Sequence, residues 1–298
     1  MQYLILENVD RLLKSPSTCR GRDFAIILAS LASLDYTVEW RVVNAADYGA
    51  AQRRRRVFLV AYHNGSQALQ RLRAESSESQ LVFLTTAGVL ANALHVNHDV
   101  ARVAKFDVGC DALDAQARFS KQTTSDSPFL NAGVMKKGHV FTTNLAPRSD
   151  KHTATLGDVV RKTLDVPDSY YLGPEALSRW AYLKGSKSIR RVTASGFEYS
   201  YTEGALPFPD DLERPARTII TSEGGASPSR TKHVVHDGHG LRRLTPEELE
   251  ELNGFPRGFT EMDGIPSTKR AFLMGNALVV DLVHDIGQAL ACAHHGTT

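Results

Sequence analysis

Residues 36–64 read YTVEWRVVNAADYGAAQRRRRVFLVAYHN. Tyr36, Val38, Trp40 and Val42 alternate along the first part, which places them on one face of a strand. RVFLVAYHN at 56–64 is a second apolar strand, and the loop between the two contains Asp47 and Gly49, so an antiparallel pair at a sheet edge is expected. Upstream, QYLILENV at 2–9 is apolar on both faces of a two-residue period, as in a parallel strand covered by helices on both sides. Between these segments Phe24, Ile27, Leu28, Leu31 and Leu34 recur at helical spacing. Strand, helix, strand is an α/β pattern.

A chain of 298 residues is long enough for one large domain or two ordinary ones. No apolar run reaches the ~20 residues of a membrane span, and the start MQYLILENVD lacks the basic segment and cleavage site of a signal peptide. A cytoplasmic protein is expected. Cys19, Cys110 and Cys292 are odd in number and widely spaced, which argues against a disulfide framework and against a zinc knuckle. The net charge of +2 is close to neutral, so a nucleic-acid footprint has to come from local clusters, of which Arg53–Arg56 is the densest.

From about residue 65 to residue 214 short apolar runs are broken by Ser, Thr, Asp, Gly and Pro, the pattern of a separate loop-rich region. Order returns in RRLTPEELEELNGFP at 242–256. There Thr245 can cap a helix, Pro246 suits its first position, Glu248 completes a capping box and Gly254 ends it. A last helix is expected from about Ala277 to Ala293, with Val279, Val283, Ile286 and Leu290 on one stripe and Asn276 as its cap.

ENV at 7–9, NAADYGAAQRRRRVFLVA at 44–61, RPARTI at 214–219, RRLTPEELEELNGFP at 242–256 and GNALVV at 275–280 together resemble, in order and spacing, the later blocks of DNA cytosine-5 methyltransferases. The family's opening Gly-containing cofactor loop and its Pro-Cys dipeptide have no counterpart, since none of the three cysteines follows a proline. The resemblance therefore implies the portion from the ENV block onward: an α/β fold with a partial doubly wound, Rossmann-like sheet and an inserted target-recognition domain. Residues 1–64 would belong to the catalytic domain, 65–265 to target recognition, and 266–298 to a helix returning to the catalytic domain.

Family members add a Cys thiolate to C6 of a flipped cytosine, which makes C5 nucleophilic towards the methyl of S-adenosylmethionine. Attack is eased when N3 is protonated, and a carboxyl in a closed apolar pocket suits that task. Glu7 matches the family's Glu. Gln52, Arg54 and Arg56 would share one side of the arginine strand and Arg53 and Arg55 the other. By resemblance Arg54 and Arg56 hold the flipped nucleotide and orient Glu7, since a guanidinium fork suits planar contacts. The resemblance also implies Asn276 and Ala277 as part of the cofactor wall. Double-stranded DNA is the implied partner, with Gln52, Arg230 and Lys232 as candidate contacts, alongside a complementary amino-terminal methyltransferase polypeptide. KGSKSIRR at 184–191 offers further phosphate contacts. His233, His236 and His239 recur every three residues, but a solvated or structural role outweighs metal ligation, and the family needs no metal. Two alternatives remain: a DNA-binding remnant without activity, and a tRNA-methylating relative, disfavoured by the long insert before RRLTPEE.

Overall fold

The computed structural model describes residues 1–97, 102–121, 126–148 and 151–296. β1 (Tyr3–Val9), β2 (Tyr36–Asn44) and β3 (Arg55–His63) form where the alternation places them. β3 pairs antiparallel with β1 on one edge, from Tyr3 opposite Tyr62 to Val9 opposite Arg56. On its other edge it pairs antiparallel with β2, from Tyr36 opposite His63 to Asn44 opposite Arg55. β1 and β2 thus run in the same direction, as the helix α1 (Arg22–Ser33) joining them requires, with β3 inserted between. The expected antiparallel pair exists, but in the sheet's interior; β1 is the edge strand.

Three more strands follow α2 (Gln67–Glu75), α3 (Gln80–Val82) and α4 (Val89–Ala93): β4 (Val103–Asp107), then α5 (Ala112–Ser120), β5 (Ala132–Lys136) and β6 (His139–Thr143). β5 docks on β2 from Val38–Met135 to Arg41–Ala132, giving a six-stranded sheet of order β1-β3-β2-β5-β6-β4 in which every described pairing is antiparallel. This corrects the doubly wound parallel sheet. β5 and β6 are joined through Lys137 and Gly138, both at positive φ (50° and 81°), the two-residue turn that matches strand twist.

One sheet face packs Val38, Trp40, Val57 and Leu59 against Phe24 and Leu28 of α1 and Phe119 of α5. The other face is buried as well, although it carries Glu39 and Arg41. Glu39 accepts from the Tyr62 hydroxyl and from the Leu90 amide (3.3 Å), while Arg41 donates to the carbonyls of Leu84, Leu90 and Leu94. These bonds satisfy most of the polar atoms that burial would otherwise strand. β1 is different: Ile5, Leu6 and Val9 are 37–46% exposed. The expected cover on both sides of this strand is absent because it lies at the edge with one neighbour.

The chain divides into two compact units, Met1–Gly49 with Arg54–His152 and Asp281–Thr298, and Ala50–Arg53 with Thr153–Val280. The segment Arg54–His152 stays with the sheet in the first unit, although the sequence pattern changes at about residue 64. Strands of five residues carry too little alternation to register. The second unit contains α6 (Leu156–Val160), α7 (Pro174–Lys184), the hairpin β7 (Lys187–Val192) and β8 (Glu198–Glu203), the short pair β9 (Val235–His236) and β10 (Leu241–Arg242), α8 (Pro246–Leu252) and α9 (Ser267–Asn276). Its core gathers Leu156, Val160, Ile219, Val235, Leu249, Leu252 and Met274. α8 starts as expected: the Thr245 hydroxyl accepts from the Glu248 amide (3.3 Å), and the Glu248 carboxylate from the Thr245 amide (2.8 Å).

The final helix, α10, runs Val280–His295, and Ile286 is fully buried on the expected stripe. Asn276 does not cap it. It is the last residue of α9, where its side-chain amide donates to the Phe272 carbonyl at 3.3 Å. No helix among the described residues is long and apolar enough to cross a membrane.

Candidate active site

Glu7 and Arg56 meet because of register. Val9 lies opposite Arg56 and Glu7 opposite Phe58, so Glu7 and Arg56 are diagonal neighbours on one face of an antiparallel pair. Their side chains close to 2.9 Å between Nε and a carboxylate oxygen, each about one-fifth exposed. The expected apolar pocket around Glu7 is replaced by this ion pair.

Arg54 lies two residues before Arg56 and is buried, while Arg53 and Arg55 are exposed, so the sides assigned from alternation are correct. Burial, followed by the positive charge of Arg56, lowers the Arg54 guanidinium to about 10, against the pull of the Glu7 carboxylate. Arg54 stays charged at neutral pH within the field of both partners. Arg55 turns away to Asp10 at 3.0 Å. The cluster is thus Glu7, Arg54 and Arg56, at the carboxyl end of β1 and the entry to β3.

Beside it opens a cleft of about 1020 Å³ whose lining includes Asn8, Arg11, Lys14, Arg20, Arg55 and Arg102. Sequence reasoning missed this cleft. The signal available was the basic spacing Arg11, Lys14, Arg20 that follows the ENV block.

The profile of the C-5 cytosine-specific DNA methylases matches residues 2–292. The chain belongs to that family. It is 43% identical over 295 residues to the type II methyltransferase M.Sau3AI of Staphylococcus aureus, covering 97% of this chain and 67% of that protein. To the type II methyltransferase M.SsoII of Shigella sonnei it is 21% identical over 290 residues, 96% of this chain and 52% of that one. The structure of the Entamoeba histolytica methyltransferase EhMeth superposes with a TM-score of 0.51 at 12% identity, covering 97% of this chain and 62% of that chain, a likeness of fold. The chain thus spans about two thirds of the length of M.Sau3AI and about half that of M.SsoII.

The remaining candidate site residues lie in the second unit. Asn276 is exposed, and Ala277 half-buried. Gly275 before them packs so tightly that a Cβ would overlap the backbone of Ile220 and Thr221. Gln52 is fully buried and binds within its own unit. Its amide nitrogen donates to Asn253 Oδ1 (2.9 Å) and the Leu252 carbonyl (3.3 Å), and its oxygen accepts from the Ile219 amide (3.0 Å). Arg230 donates to the carbonyls of Leu183 (3.3 Å), Gly185 (3.2 Å) and Gly204, and pairs with Glu203. Lys232 is buried and donates to the carbonyls of Gly225 (2.7 Å) and Ser227 (2.8 Å). The donors of these three residues, expected from the sequence to contact DNA, are engaged inside the protein.

Two further polar networks went unread in the sequence. Arg242 is fully buried between Asp237 (2.5 Å) and Glu248 (2.8 Å). Burial pulls its guanidinium down, but the Glu248 and Asp237 carboxylates more than reverse this. His233 is buried with its Nδ1 2.9 Å from Glu223. Among the described residues, no group of three or more His, Cys, Asp or Glu is placed to hold a metal ion.

Proposed function

We propose that this chain acts in the methylation of C5 of a flipped cytosine in a specific duplex DNA sequence. The observation that carries the reading is the Glu7–Arg56 pair with Arg54 behind it, formed by two of the blocks that mark the family. In its protonated form the Glu7 carboxyl, oriented by Arg56, can donate its proton to N3 of cytosine, which draws electrons from C6 and favours addition of a thiolate there. Arg56 holds the carboxylate in place. Arg54 supplies a fixed positive charge for the base oxygen or the adjoining phosphate. The basic cleft beside Asn8 suits the flanking DNA backbone, whose phosphates seek Arg and Lys.

S-adenosylmethionine would supply the electrophilic methyl group. The residues present fit a share of its site: Asn276 is exposed and its side-chain nitrogen makes a long donation to the Phe272 carbonyl, while its amide oxygen has no partner among the described residues and is available to a ligand. None of Cys19, Cys110 and Cys292 follows a proline, so in this proposal the thiolate comes from residues outside these 298. The free edge of β1 is where the family's sheet would continue with the strand that precedes its Pro-Cys.

The test is methyl transfer from tritiated S-adenosylmethionine to duplex DNA. The chain is assayed alone and together with the part of the M.Sau3AI-type relative that lies outside the aligned region. Transfer only with both present, with 5-methylcytosine as the product, supports the reading. Transfer by the chain alone overturns the external thiolate, and a combined enzyme that labels RNA but not DNA overturns the substrate.

A further inference from the structure

The second unit carries an element that buries almost nothing. β7 and β8 form a two-stranded hairpin, with no third strand among the described residues, in which every residue from Ser188 to Thr202 is exposed. Isolated hairpins of this kind are marginal in water. This one is held at its foot. Arg230 ties the Gly204 carbonyl after β8 to the carbonyls of Leu183 and Gly185 at the end of α7, and Lys187 lies 4.4 Å over the Tyr182 ring. A half-buried anchor that presents a solvated ribbon is poorly explained as core architecture.

The two faces of the ribbon differ. The register sets Ser188 opposite Thr202 and Arg190 opposite Ser200 on one face, and Ile189 opposite Tyr201 and Arg191 opposite Tyr199 on the other. On the second face the Arg191 guanidinium stacks 4.1 Å over the Tyr201 ring, which stiffens the ribbon. The first face carries hydroxyls around Arg190, which has no hydrogen-bond or ion-pair partner among the described residues.

We propose that this hairpin is the base-reading element of the enzyme, entering the major groove of duplex DNA with the Ser188, Arg190, Ser200 and Thr202 face towards the base edges. The inference rests on the function proposed above and names the residues that would set its target. The dimensions fit: a groove about 12 Å wide admits a two-stranded ribbon, and strands about 4.8 Å apart leave room for side chains on both faces. The chemistry fits as well. An arginine fork matches the O6 and N7 acceptors of guanine, hydroxyls serve either donors or acceptors, and Lys187 and Arg191 bring charge towards the phosphates. Arg230, expected from sequence to touch DNA, acts here as a positioning residue for the ribbon.

The experiment selects duplexes from a random library with the full chain, as wild type, Arg190→Ala and Arg190→Lys, and sequences the bound DNA. Thermal melting checks that each variant folds. The wild type should enrich a motif containing guanine. Arg190→Lys keeps the charge, so total affinity should stay within about threefold while preference for that guanine falls on the order of 10- to 100-fold. An unchanged motif in both variants overturns the hairpin assignment and leaves the methyltransferase reading standing. A wild-type chain that binds no duplex over competitor overturns both, and would mark the ribbon as a surface for a protein.

Discussion

Replacing Arg242 by Met should destabilise the second unit by about 3–5 kcal/mol, the usual effect of removing one partner from a buried ion pair. The guanidinium is fully buried, contacts Asp237 at 2.5 Å and Glu248 at 2.8 and 2.9 Å, and also donates to the Arg243 carbonyl at 3.1 Å. Methionine keeps the apolar stem and removes every one of those bonds. Glu248, itself fully buried, would be left with the Thr245 amide as the donor to its carboxylate. Domains are stable by only about 5–15 kcal/mol, so the loss is a large share of the total. Urea unfolding followed by Trp180 fluorescence in a Trp40→Phe background measures it, because Trp180 is buried in the same unit as Arg242. Adding Glu248→Gln and Asp237→Asn removes the stranded charges and keeps the capping box, and should recover most of the loss. If Arg242→Met shifts stability by less than about 1 kcal/mol, or the triple variant is worse than the single, the network does not hold the unit together as argued.

Asp237 gives a pH signature. Burial pushes its carboxyl up, but bonds from Arg242, the His239 amide and Tyr171 outweigh that and leave it at about 2 against an ordinary 3.8. A depressed carboxylate stabilises above its unfolded value, so about 2 kcal/mol should be present above pH 4 and lost as pH falls towards 2. Comparing Asp237→Asn with wild type across that window should show the difference collapse, and a constant difference would refute the linkage. Gly275→Ala should lower the melting temperature by an amount equivalent to about 1–3 kcal/mol, since its Cβ overlaps the backbone of Ile220 and Thr221. An unchanged melting temperature would mean that this contact yields.

The sequence was most legible where local chemistry decides local structure. The Thr245 capping box, the alternation of Trp40 and its neighbours, and the sides taken by Arg53–Arg56 each depend on a few adjacent residues, and the structure has them. Strand order was illegible. QYLILENV reads as a covered parallel strand because alternation alone cannot tell an interior strand from an edge strand whose neighbour arrives 46 residues later, at Arg55 after Val9. The ion pair of Glu7 with Arg56 depends on that register, so it came from the family resemblance, which has the arginines orient Glu7, and not from the residue pattern. The partners of cationic side chains in the second unit were illegible too. Arg230 and Lys232 look like phosphate ligands in a Ser-rich run, yet backbone carbonyls claim their donors, and composition carries no trace of such partners.

The central claim is that Glu7, held by Arg56, stabilises cytosine during transfer at C5. The direct measurement is the single-turnover rate of methyl transfer to duplex DNA by the combined enzyme, comparing wild type with Glu7→Gln at matched DNA occupancy. The account predicts a loss of about 10²-fold or more for Glu7→Gln, with DNA affinity nearly unchanged, because the amide can offer N3 a hydrogen bond but has no acidic proton to give it. A Glu7→Gln enzyme that methylates at close to the wild-type rate would contradict it.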